Sequence, residues 1–82
     1  MVYPLDYGYL QGTTTGDGSL IDVWLGSRGD TAVMAIACTV DLLKRDAELK
    51  LLLGCTEDEM RLVNEFLNLT ETLRCVLFRR PE

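Results

Sequence analysis

Histidine is absent from the 82 residues of this chain, proline occurs twice and tryptophan once. Three cysteines, Cys38, Cys55 and Cys75, stand far apart, with no Cys-x-x-Cys pair. Without histidine or paired cysteines, the chain lacks the ligand set of a structural zinc site, and reduced, mostly buried thiols are expected. Basic residues are few: 8 Lys and Arg against 13 Asp and Glu give a net charge of −5. No basic cluster is available to displace counterions from a phosphate backbone, which argues against nucleic-acid binding. No apolar run approaches the roughly 20 residues needed to span a bilayer. No basic start leads into an apolar stretch of the secretory type, so a cytoplasmic chain is expected. Repeats, low-complexity tracts and linkers are also missing, and residues 1–82 read as one domain.

What is present is apolar and strand-like. Hydrophobic residues make up 48% of the chain, ample for a core, although a chain this short buries a limited fraction of its surface. Strand signals cover Tyr3–Leu10, Leu20–Leu25, Thr31–Val40, Ala47–Leu53 and Leu73–Arg79. Gln11–Ser19, rich in Gly and Thr, reads as an irregular loop. Leu42–Arg45 reads as a loop or one helical turn. One helix is signalled by the capping box Thr56-Glu57-Asp58-Glu59, with acidic residues at the positive end of the helix dipole. After it, Met60, Leu62, Val63, Phe66, Leu67 and Leu69 form an apolar face opposite Arg61, Asn64, Glu65 and Asn68.

Two short motifs are read down. Arg28-Gly29-Asp30 spells an adhesion tripeptide but reads as a tight turn. Asn68-Leu69-Thr70 spells a glycosylation sequon but closes a helix, where capping or solvation is the better reading. The carboxylates carry more weight. Asp17 and Asp22 are spaced like Asp41 and Asp46, both pairs near strand ends. Hard cations such as Mg²⁺ favour carboxylate oxygens, although turns also favour aspartate.

Tyr3-Pro4-Leu5-Asp6-Tyr7-Gly8-Tyr9-Leu10, followed by Asp17-Gly18-Ser19-Leu20-Ile21-Asp22-Val23, resembles the active-site segment of the soluble, Mg²⁺-dependent inorganic pyrophosphatases of family I. Those enzymes carry Tyr-Pro-x-Asn-Tyr-Gly-Tyr/Phe-Ile and then Asp-Gly-Asp-Pro-x-Asp-Val. Asp41-Leu42-Leu43-Lys44-Arg45-Asp46-Ala47-Glu48-Leu49 is similar to the family's second acidic segment, Asp-x-x-x-x-Asp-x-Lys-Leu. The resemblance implies that Asp17, Asp22 and Asp46 surround the tightest metal site, that Asp41 is a ligand of additional metals, and that Tyr7 contacts substrate. It also implies losses. Ser19 replaces the aspartate that orients or deprotonates the attacking water, Leu20 replaces a proline, and Glu48 replaces a lysine. The segment Trp24–Val40 is shorter than the family's, and the family's N-terminal basic residues have no counterpart. A hydroxyl is a poor base, and lost cations remove transition-state stabilisation.

The expected fold is therefore mainly β (α+β): a small five-stranded OB-like barrel with one packed α-helix, a trimmed pyrophosphatase barrel. The alternative is an unrelated small barrel whose Asp-Gly and Tyr-Gly elements are turns. Three functions follow in order. The first is a pyrophosphatase-like protein without turnover that keeps a divalent-metal (Mg²⁺) or phosphate-ligand site, with pyrophosphate among its ligands. The second is an interaction or regulatory module. The third is an active Mg²⁺-dependent phosphohydrolase in which Arg45, Lys50 or a partner chain replaces the lost cations. A homo-oligomer, most simply a dimer, is expected because Met34–Val40 and Leu49–Leu53 are apolar on both faces, and strands of that kind are normally covered on both sides.

Overall fold

The computed structural model of the chain describes residues 3–13, 18 and 20–81. Strands β1 (Asp6–Leu10), β2 (Ile21–Leu25), β3 (Val33–Asp41), β4 (Asp46–Leu53) and β5 (Leu73–Arg79) form one mixed sheet in the order β1-β2-β4-β3-β5. The one helix among the described residues, α1 (Glu57–Phe66), connects β4 to β5. All neighbours are antiparallel except β2 and β4, which run parallel. The molecule is thus mainly β with one helix, a small α+β barrel-like fold as the sequence implied.

Local chemistry sets the element ends. Pro4 has no N–H to give a ladder, and β1 starts at Asp6 rather than at Tyr3. β3 and β4 meet in a hairpin at the Asp41–Asp46 pair, and the intervening Leu42–Arg45 is a turn rather than helix. Arg45 closes it at φ 58°, a left-handed conformation that L-residues adopt at a cost. Arg28–Asp30 is the expected turn, with Gly29 at φ 88° and Arg28 paired to Asp30 at 3.2 Å. Of the Gln11–Ser19 loop, only Gln11–Thr13 and Gly18 are described.

The helix begins where its cap dictates. The Thr56 hydroxyl accepts from Glu59 N at 3.2 Å, and Glu59 Oε1 accepts from Thr56 N at 2.9 Å. The same carboxylate accepts from Ser27 N at 3.1 Å, which ties the helix start to the chain leaving β2. The approach there is close. A Cβ on Gly26 would lie 2.5 Å from both the Cys55 Cα and the Gly54 carbonyl. At the other end, Asn68 behaves as the sequence suggests. Its amide donates to the Asn64 and Cys75 carbonyls, and its oxygen accepts from Cys75 N at 2.9 Å. Helix and β5 are thereby linked as a ladder would link them.

Register divides the sheet into two faces, because side chains alternate along each strand. On the inner face, Trp24, Ala35, Ala37 and Leu52 meet Met60, Val63 and Leu67 of the helix and its end to form the core, together with Cys55. The two alanines leave the room that the helix fills, and each large side chain so buried contributes about 1.5–3 kcal/mol. The helix covers only one end of this face. At the other end the inward side chains are polar.

Candidate functional site

Alternation on β4 carries Asp46, Glu48 and Lys50 to the inner face in succession, with Leu52 following into the core. Across the parallel pairing, Asp22 of β2 lies beside Lys50. Across the antiparallel one, Thr39 of β3 faces Glu48 and Asp41 faces Asp46. Tyr7 of β1 sits opposite Trp24 of β2. Tyr7, Trp24, Thr39, Asp41, Asp46, Glu48 and Lys50, together with Tyr3, Phe66, Leu67, Leu73 and Lys44, enclose a pocket of about 250 Å³.

Lys50 is the centre of the arrangement. It is buried, 9% exposed, and its ammonium donates to Tyr7 Oη at 2.8 Å, Glu48 Oε2 at 2.9 Å and Asp22 Oδ2 at 3.1 Å. An ammonium has three N–H donors, so its donor capacity is used up inside the protein. Burial opposes the charge, but the bonds to Tyr7, Glu48 and Asp22 outweigh it and raise the Lys50 pKa. Burial raises the Tyr7 phenol as well, against the pull of the Lys50 ammonium. At pH 7 the lysine is charged and the tyrosine neutral.

The sequence-derived residues fall out as follows. Asp22, Asp41 and Asp46 share the inner face and the polar end, and Tyr7 joins them there. Asp17 and Ser19 lie outside the described residues. Asp22 and Asp46 are four ladder positions apart, about 13 Å at roughly 3.3 Å per residue. Among the described residues, no group of three or more His, Cys, Asp or Glu side chains is placed to hold a metal ion. Asp22 is instead neutralised by Lys50. Asp41 Oδ1 accepts from Leu43 N and Lys44 N, at 3.0 and 3.1 Å. An all-protein cation cage does not fit these residues. The Asp41–Asp46 pair does fit the other mode of Mg²⁺ binding, in which one or two carboxylates are supplemented by phosphate oxygens and water. Like charges placed directly opposite in a ladder also repel, and a cation relieves that repulsion.

Sequence reasoning placed Lys50 only among possible substitutes for lost cations. The signal for its centrality is the run Asp46, Glu48, Lys50, in which acid, acid and base share one strand face. Trp24 went unremarked as a site residue. It is 1% exposed, and its Nε1 has no acceptor among the described residues. The indole is edge-on to Tyr3, Tyr7 and Phe66, with ring centroids 5.4, 4.6 and 5.8 Å away.

Asp22 and Glu48 are both engaged by the Lys50 ammonium. The pocket lining carries three carboxylates (Asp41, Asp46, Glu48) against two lysines (Lys44, Lys50), and Asp22, paired with Lys50, brings the local surplus to two negative charges. A free anion is therefore repelled, and an anion accompanied by a divalent cation is not. Comparison of the chain with protein-family models, with curated proteins and with solved structures finds no match in any of the three.

Proposed function

We propose that the chain is a pyrophosphatase-like domain without turnover whose inner pocket binds a phosphate-bearing ligand, pyrophosphate being the simplest, as its Mg²⁺ complex. The observation that carries the reading is the saturation of Lys50 by Tyr7, Asp22 and Glu48. A protein-borne cation takes up the carboxylate that the resemblance assigns to the tightest metal, so the water-activating chemistry has no seat there. Asp41 and Asp46 would hold the ion, and Lys44 and Tyr7, which also line the pocket, would contact the phosphate.

The one tryptophan of the chain lines this pocket and makes the test direct. Its emission is expected to change saturably when pyrophosphate is added with Mg²⁺, and to stay flat with either component alone. A response to pyrophosphate alone would refute the metal-complex reading. The absence of any response would refute the pocket. A second reading, an assembly module, is supported by a different part of the molecule, the apolar outer face of the sheet.

A further inference from the structure

The helix packs on one end of the inner face of the sheet; on the outer face Val23 and Leu53 are buried, and the apolar side chains around them are exposed. The register places Leu25, Leu49, Ile36, Val40, Val76 and Phe78 there, all exposed by 37–60%. Contiguous apolar surface of this extent on a small protein marks an interaction site. Its charges are few and arranged by sign. Within the strands, the charged residues on this face are Asp6, on edge strand β1, and Arg74, on edge strand β5. Arg80, just past β5, continues the same alternation beside Met34, to whose carbonyl its N–H donates at 2.8 Å. Neither Asp6 nor Arg74 makes an ion pair among the described residues. One edge of the patch is thus negative, the opposite edge positive, and the middle apolar.

A surface of that kind is complementary to itself. A two-fold axis lying in the plane of the face and running along the strands sets the β1 edge of one copy over the β5 edge of the other, and does so twice. The registers put Asp6 in the row of Leu25, Leu53 and Arg80, so we infer that the outer face is the interface of a homodimer, with Asp6 of each copy against Arg80 of its mate and the Leu49, Ile36, Val76 and Phe78 side chains packed between them. A partner with a uniformly charged surface would match only one edge, whereas a second copy matches both. The helix and the inner pocket lie on the far side of the sheet and remain open in such a dimer.

Sedimentation velocity of the whole chain tests this. The wild type is expected to sediment as a dimer at micromolar concentration. Val76→Lys alters an exposed position, so it is expected to keep the wild-type circular dichroism spectrum and sediment as a monomer. Asp6→Arg weakens the dimer about tenfold or more by setting like charges edge to edge. Adding Arg80→Asp to Asp6→Arg restores part of the loss. A monomeric wild type overturns the proposal. So does a Val76→Lys protein that still dimerises, since edge-to-edge pairing of β5 would then be the contact. A double variant no better than Asp6→Arg alone also overturns it, because the charged edges would then not face each other.

Discussion

At the scale of single residues, Lys50 is where stability and function meet. Replacing it with methionine leaves Asp22 and Glu48 without their counter-charge and Tyr7 without its donor. Both carboxylates retain access to water, with side chains 24% and 51% exposed, so the expected loss is about 1–3 kcal/mol rather than that of a sealed pair. Chemical denaturation of Lys50→Met measures it. The same residue sets an alkaline limit. A group whose pKa is raised on folding contributes stability that is complete below its unfolded pKa and lost as pH rises through the folded value. For Lys50 that window opens near pH ~10.4. Cys55, which burial and the nearby Glu59 carboxylate push up to about 11, begins lower, near pH ~8.5. Stability is therefore expected to fall steadily from about pH 8.5 upward. Cys55→Ala flattens the lower part of the slope and Lys50→Met the upper part. A wild-type slope unchanged by either variant would contradict these assignments. Arg45 offers a change of opposite sign. Glycine takes φ 58° without strain, so Arg45→Gly is expected to raise stability by up to about 1 kcal/mol in the same denaturation assay.

Among the elements, the helix and its cap were the most legible, because a capping box is a local device written in four consecutive residues. The β5 limits were read directly from Leu73–Arg79, and the other strands to within a few residues, since apolar alternation is also local. What could not be read was non-local. The parallel pairing of β2 with β4 places Asp22 beside Lys50, and no spacing along the chain encodes it. Four aspartates with repeated spacing suggested one cluster, whereas the ladder spreads the described three along the sheet with a lysine among them. The cap itself carries a testable share of stability. Thr56→Ala is expected to cost about 1 kcal/mol of unfolding free energy. Backbone hydrogen bonds from Thr56 and Ser27 hold the Glu59 carboxyl below its ordinary pKa. That contribution is present above pH ~4.3 and lost as pH falls below it. Glu59→Gln is therefore expected to flatten the acid limb of the stability profile, read by urea titrations at several pH values. Gly26→Ala and Gly54→Ala should be worse than either. A Cβ on Gly26 meets backbone on two sides, and Gly54 at φ 57° would run into the Asp30 carbonyl.

For the whole molecule, the two faces of the sheet differ in what they present. The outer face is apolar and edge-charged, suited to a second copy. The inner face is core under the helix and a lysine-centred polar pocket beyond it. A chain of 82 residues with three unpaired cysteines has little but its core to hold it, so assembly is expected to show in stability. The melting temperature should rise with protein concentration, as mass action requires of a folded dimer. The central claim, that the pocket binds without turning over, is tested most directly by calorimetric titration of the protein with pyrophosphate in excess Mg²⁺, with inorganic phosphate assayed in the same cell. The account predicts a saturable binding heat and no release of phosphate beyond the protein-free control. Phosphate accumulating at the rate of an ordinary enzyme would contradict it.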